Sequence, residues 1–304
     1  MCKTKRQKMD YRPLAKLFTS ADISRVADGD YSTIVKLQNS YDELDNVDIL
    51  QDIYEESYRL LRLNYPNEYV VKNTIANRVL LGRHSMNTAS MLSELRIGTN
   101  KADCVVVNGL STCYEIKTQF DSLKRLPDQI EAYTQAFDKT YVVTHESHLS
   151  AVLKLHDEMP VFGIIKATKT GRLSKPLKEA PQNENFNQAL MFYSLRKAEY
   201  TNIATEILGH EPNVPCHELF DFCKEVFCSL SSERANQLFK ENLKYFRKND
   251  HNFINSLPNS LKNIGISYNI DRKSKNSILT SLSGHISQQR GDNCVLPIPS
   301  RKNI

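Results

Sequence analysis

The sequence predicts an α/β chain of the α+β kind, in which one small mixed sheet is covered by helices and helical extensions lie on both sides. Three observations predict it. Apolar residues at strand spacing cluster within residues 91–117. A helix-spaced apolar stripe and two further apolar runs follow, up to residue 165. Helical spacing returns on both flanks, before residue 66 and after residue 180.

The elements follow in order. The first residues carry Lys3, Lys5, Arg6 and Lys8 with no apolar core behind them, which reads as a mobile basic arm and not a secretory signal. Leu50, Ile53, Leu60, Leu61 and Leu63 then follow helical spacing. Asn67 is placed to cap a helix carrying Tyr69, Val70, Ile75, Val79 and Leu80, which ends near Gly82. Strands are expected at 91–97, 103–107 and 111–117. Leu123, Leu126, Ile130, Tyr133 and Phe137 mark an amphipathic helix, with Pro127 in its first turn. A buried strand at 141–144, a helix at 149–155 and a strand at 161–165 complete the central zone. Helical pieces follow at 187–208, 217–230 and 232–247, and the Ser-, Asn-, Lys- and Arg-rich stretch from about Asp271 reads as weakly ordered. The expected organisation is a helical extension at 1–66, a core at 67–180 and a second helical extension at 181–304.

Composition narrows the class. With 40% hydrophobic and 25% charged residues, the chain has the balance of a soluble globular protein. Its formal charge of +5 permits contact with polyanions without requiring it. No apolar run reaches the length of a bilayer span, so no membrane partner is expected. Seven scattered cysteines suit reduced thiols and a cytoplasmic setting.

The chemistry concentrates between Ala102 and Lys117. Acids have little reason to sit in otherwise apolar strands unless a cation pairs with them. Glu115 and Lys117, two apart in a strand, project from one face. Asp103 joins them only in one register. A two-residue Asn108-Gly109 turn would set Asp103 opposite Tyr114, whereas a three-residue loop or a bulge sets it opposite Glu115. The second register is expected, because the first buries unpaired acids on both faces. Asp103 and Glu115 would then hold a hard divalent ion, Mg²⁺ or Mn²⁺, which favours oxygen ligands and keeps several waters. Lys117 would orient the attacking water or neutralise charge on the phosphate. Glu94, near the end of the preceding strand, and Glu68, at the start of the preceding helix, are each placed to add a ligand or a base. The competing reading makes Asp103 and Glu115 ordinary surface partners of Lys101 and Lys117.

This constellation resembles the PD-(D/E)XK nuclease superfamily, whose core order of helix, three-stranded meander, helix and strand matches residues 67–166. The resemblance implies a restriction-endonuclease-like fold in which Asp103 is the motif aspartate and Glu115 and Lys117 are the (D/E)XK pair. It also implies that Gln129 and Tyr133, spaced as Gln-x-x-x-Tyr, line the nucleic-acid side, and that Glu68 is the acid of the first core helix. The flanking segments Glu94-Leu95-Arg96-Ile97-Gly98 and Arg125-Leu126-Pro127 resemble a little-characterised bacterial branch of that superfamily. Ala102 stands where the motif usually has Pro. Lys124 and Arg125, just before a helix, are candidate phosphate contacts.

Other signals carry less. His145-Glu146-Ser147-His148 is one residue short of a zinc-protease signature. Cys216, His217, Cys223 and Cys228 lack the paired spacing of a zinc site. The expectation is a Mg²⁺- or Mn²⁺-dependent nuclease that hydrolyses phosphodiester bonds by a metal-activated water, with DNA as the substrate by resemblance. A catalytically inactive nuclease-like fold that binds nucleic acid or protein is the alternative, and a purely structural helical protein is a third. A homodimer or another protein partner on the helical extensions is left open.

Overall fold

A computed structural model of the chain describes residues 9–83 and 88–286. The basic arm at 1–8 and the end of the tail beyond 286 lie outside the described residues. The helices before the sheet are α1 (Ser20–Ala27), α2 (Ser32–Gln38), α3 (Leu50–Asn64) and α4 (Glu68–Ile75). The Asn67 side chain accepts from the Val70 N–H and so caps α4, as expected from the sequence. A π-helical turn at Ala76–Leu80 continues α4 into α5 (Leu81–Arg83).

Six strands form one sheet in the order β1 (Ser90–Ile97), β2 (Asn100–Asn108), β3 (Leu110–Lys117), β4 (Lys139–His145), β5 (Gly163–Ala167) and β6 (Leu173–Lys178). The first three make an antiparallel meander, β3, β4 and β5 run parallel, and β6 returns antiparallel. The parallel pairs need crossovers, which α6 (Leu126–Thr134) and α7 (Leu149–Glu158) provide. Pro127 sits in the first turn of α6, where its missing N–H loses no helical bond. The strand β6 was not expected. Its sequence carries Pro176, which only an edge strand accommodates well, and β6 is at the edge.

The β2–β3 turn settles the register. Val107 lies opposite Ser111, and Gly109 sits at the tip with φ at 70°. This is the register expected for the acids. A Cβ at Gly109 would meet nothing within 4 Å, so only backbone strain opposes substitution. Gly109→Ala is therefore expected to lower unfolding free energy by about 1 kcal/mol, and Gly109→Asn by less, because Asn tolerates this conformation. Chemical denaturation of both variants checks the difference.

Helices cover both faces of the sheet. On one face α4 and its continuation pack Val71, Ile75 and Leu80 against Cys104, Val106 and Ile116. The other face is covered by α6 and by a group comprising α8 (Gln188–Phe192), α9 (Lys197–Leu208), α10 (Leu219–Cys228) and α11 (Ser232–Phe246). The last elements are α12 (His251–Ser256), α13 (Lys262–Ser267) and α14 (Arg272–Leu282). The segment from Asp271 is thus not weakly ordered up to Leu282. Asp271 caps α14, and Ile278 and Leu282 are buried. They belong to one buried cluster with Leu17, Ile34, Leu50 and Leu61 from the beginning of the chain, so the two ends of the described chain share one core. Among the described residues no helix is long and apolar enough to cross a membrane.

Candidate metal centre

The site is built on one rung of the sheet. Cys104 faces Tyr114 across β2–β3, and one step further along the same register brings Asp103 level with Glu115. Across β1–β2, Ser93 faces Cys104 and Leu95 faces Ala102, which leaves Glu94 level with Asp103. Three neighbouring strands therefore present Glu94, Asp103 and Glu115 side by side. The ladder is interrupted there. The Ile116 N–H donates to Asp103 Oδ2 at 2.7 Å, so the side chain takes the place of a backbone acceptor. Glu94 has φ at 56°, a left-handed conformation that non-glycine residues adopt rarely and that clusters at functional sites.

That kink also shifts the side-chain alternation. Leu92 and Leu95, three apart, pack into the same core, and so do Ala102 and Val105. A regular strand would send the members of each pair to opposite faces. The slip frees Glu94 and Asp103 from the core pattern and turns them toward α4. Carboxylate oxygens of Glu68, Glu94 and Asp103 lie within 4.8 Å of one another. Lys72, one turn after Glu68 on α4, reaches into this group. Its Nζ is 2.5 Å from Glu68 Oε1, contacts Glu94 Oε1 and is 3.8 Å from Asp103 Oδ1. Lys72 is buried, while the side chains of Glu68 and Glu94 are each 49% exposed, so the group opens to solvent on that side.

Glu115 and Lys117 share the face of β3 that meets α6. Lys117 Nζ donates to Glu115 Oε1 at 2.7 Å and to Gln129 Oε1 at 2.9 Å. Both residues of the pair are buried, and Glu115 Oε2 has no hydrogen-bond partner. Burial, opposed by Lys117, holds the Glu115 carboxyl above its usual range. Burial, then the Glu115 charge, hold Asp103 well above the usual carboxylate range, with Lys72 pulling the other way. The acids of the two groups therefore sense each other through Asp103.

Several expectations meet a different arrangement. Asp103 and Glu115 are level as expected, yet the acids whose oxygens group with those of Asp103 are Glu68 and Glu94, and Glu115 lies outside that group of three. Gln129 and Tyr133 do not line an open groove. Both are buried on the inner face of α6, where Gln129 holds Lys117 and the Tyr133 hydroxyl lies under the influence of Glu115. Lys124 and Arg125 are exposed at the start of α6, on the loop that leads from Lys117. The expected Glu115–Lys117 pair forms, but it is buried on an interior strand and not at the surface. Lys72 was missed. Its spacing from Glu68 is the only sequence signal, and on any helix that spacing reads as a surface ion pair. Glu146–His148 forms a short 3₁₀ turn after β4, and the described cysteines Cys104, Cys113, Cys216, Cys223 and Cys228 are free.

The donor set fits a hard divalent cation. Three carboxylates, those of Glu68, Glu94 and Asp103, surround the Lys72 ammonium, and the Glu115 carboxylate beside them is paired with Lys117. One buried oxygen, Glu115 Oε2, accepts no hydrogen bond of ordinary length, and Tyr133 and Gln129 stand beside the carboxyl. Oxygen-only ligands with partial exposure suit Mg²⁺ or Mn²⁺, which retain part of their water shell.

Comparison with known proteins adds a family but no chemistry. A family model described as Bacteriophage P4 protein cII matches residues 62–268, a span that contains every residue of the site. Protein cII of Enterobacteria phage P4 is 32% identical over 71 residues, which is 23% of this chain and 27% of that protein. The chain thus matches about a quarter of that relative's length. No solved structure matches the chain.

Proposed function

The chain belongs to the bacteriophage P4 protein cII family, and from the site that it carries we propose that it is a metal-dependent nuclease of the PD-(D/E)XK type acting on DNA. The observation that carries this reading is the single rung that aligns Glu94, Asp103 and Glu115, with Lys117 held beside Glu115 at 2.7 Å. Glu115 is buried on an interior strand and Asp103 is half-buried beside it, and phosphodiester hydrolysis is the chemistry that a carboxylate-held cation and a neighbouring lysine serve.

In this reading Glu68, Glu94 and Asp103 would hold Mg²⁺ or Mn²⁺, and Glu115, level with Asp103 on the next strand, would add its charge to the site. The ion, when bound, supplies Lewis acidity and an activated water. Lys117 is positioned by Glu115 and Gln129, and its ammonium orients the attacking water and offsets charge on the phosphate oxygens in the transition state. Gln129 is a positioning residue, since it touches Lys117 and is itself buried. The fully buried Tyr133 closes the apolar side and keeps bulk water from Glu115.

An aromatic pair supports a nucleic-acid substrate. Phe120, three residues after Lys117, packs 4.6 Å from Tyr65, three residues before Glu68. Asp121 accepts from the Thr118 N–H and hydroxyl and so fixes the loop that presents Phe120. Phe120 is exposed, and an exposed ring beside a phosphate-directed site offers a stacking surface for an unpaired base. Phe120→Ala is expected to weaken single-stranded DNA binding by about 1–3 kcal/mol with little change for duplex DNA, which fluorescence anisotropy with both substrates checks.

One observation favours the alternative, a nuclease-like fold without catalysis. Lys72 already neutralises part of the acidic group. Incubation with supercoiled, linear and single-stranded DNA in Mg²⁺, Mn²⁺ or chelator separates the two. Metal-dependent cleavage that Glu115→Ala abolishes while DNA binding persists supports the nuclease; binding without cleavage in any metal supports the alternative.

A further inference from the structure

Lys72 occupies the middle of the acidic group. Its ammonium touches Glu68 and Glu94 and lies 3.8 Å from Asp103 Oδ1, and those three acids already bring their oxygens within 4.8 Å of one another. A divalent ion drawing oxygens to about 2.0–2.6 Å would need the same volume. Ammonium and divalent ion carry like charge and cannot share one set of ligands at contact distance. The second observation is independent of this group. On the same rung, Glu115 Oε2 is buried and unpartnered, and Lys117 engages only Oε1. Lys72 therefore satisfies the outer acids, while the inner one, paired with Lys117 through Oε1 alone, keeps a single carboxylate oxygen open.

We propose that Lys72 is a built-in counter-ion that competes with the divalent cation for Glu68, Glu94 and Asp103, so that metal binding requires the Lys72 ammonium to swing out of the group. This rests on the metal-site reading above. The side chain has a route out, because Glu68 and Glu94 line the exposed side of the group. The consequence is weak metal binding in the resting protein, set by the lysine and not by a shortage of ligands. Once released, the ammonium lies at the mouth of the site, where it meets an approaching phosphate.

Two measurements on the full chain test this. In isothermal titration with Mn²⁺, Lys72→Met is expected to bind at least ten-fold more tightly than the wild type, whereas Lys72→Arg, which keeps the charge, stays near the wild-type affinity. Equal or weaker binding by Lys72→Met overturns the proposal. Should Lys72→Met fail to fold, the wild type alone suffices. Reductive methylation quantified at the Lys72 peptide is expected to rise several-fold on addition of Mn²⁺, and unchanged or reduced labelling with Mn²⁺ bound overturns it. Absence of Mn²⁺ binding by wild type and Lys72→Met alike is a different failure, since it removes the metal site itself and the competition with it.

Discussion

Lys117→Met is expected to lower metal-dependent DNA cleavage by about 10²–10³-fold, the scale of losing a group that stabilises transition-state charge. The substitution also leaves Glu115 buried without the ammonium that holds its Oε1 at 2.7 Å. Breaking a buried pair from one side costs about 3–5 kcal/mol, so the single variant is expected to be less stable. The double variant Glu115→Gln/Lys117→Met separates the two effects. It removes both charges at similar volume and is expected to recover most of the stability and none of the cleavage. Urea denaturation and a cleavage assay on the same preparations read both quantities. Recovery of cleavage along with stability would take the pair out of the reaction and leave it a packing element.

Asp103→Asn is expected to stabilise the metal-free protein while abolishing its stabilisation by Mn²⁺. Burial and then the neighbouring Glu115 hold the Asp103 carboxyl well above its usual range. A carboxyl raised on folding contributes its full stability below the unfolded value of about 4, and that contribution is lost as pH rises through the folded value. Asparagine removes this loss and still offers an oxygen to the Ile116 N–H, which now bonds Oδ2 at 2.7 Å. In chelator the variant should match the wild type near pH 4 and melt roughly 2 °C or more higher at pH 8, about the shift for 1 kcal/mol in a chain of this size. In Mn²⁺ the order should reverse, since the wild type gains from the ion and the variant does not. A variant less stable than the wild type at pH 8 in chelator would show that Asp103 is a structural anchor with no strain to relieve.

Much of this architecture is legible in the sequence because apolar periodicity and turn chemistry agree. Asn67, Pro127 and the Asn108-Gly109 tip each sit where their backbone preferences require, and the three meander strands follow the apolar pattern. The β2–β3 register, with Asp103 level with Glu115, is legible from the acids, but the slip that turns Asp103 to Lys72 while Glu115 meets Gln129 is not. What was hidden depends on geometry that residue type does not encode. Nothing about Glu94 announces a left-handed backbone, and without that kink its side chain would not face Lys72. Lys72 itself reads as one more surface lysine until β1 and β2 close over it. Tyr133 and Gln129 have the right spacing for one helix face, but spacing cannot say that this face is turned inward. The helix at Arg272–Leu282 carries few apolar residues, and it is held by partners from the far end of the chain that a local window does not contain.

The most direct test of the account is nicking of supercoiled DNA by the purified full chain in Mn²⁺, run beside Glu115→Gln, a near-isosteric change at the most deeply buried acid of the site. Cleavage by the wild type that chelator stops is expected, with loss of at least two orders of magnitude, roughly the share of a group central to transition-state stabilisation, in a variant that still folds and still binds DNA. Cleavage undiminished in Glu115→Gln, or no cleavage of any DNA form by wild-type protein with Mn²⁺ bound, would contradict it.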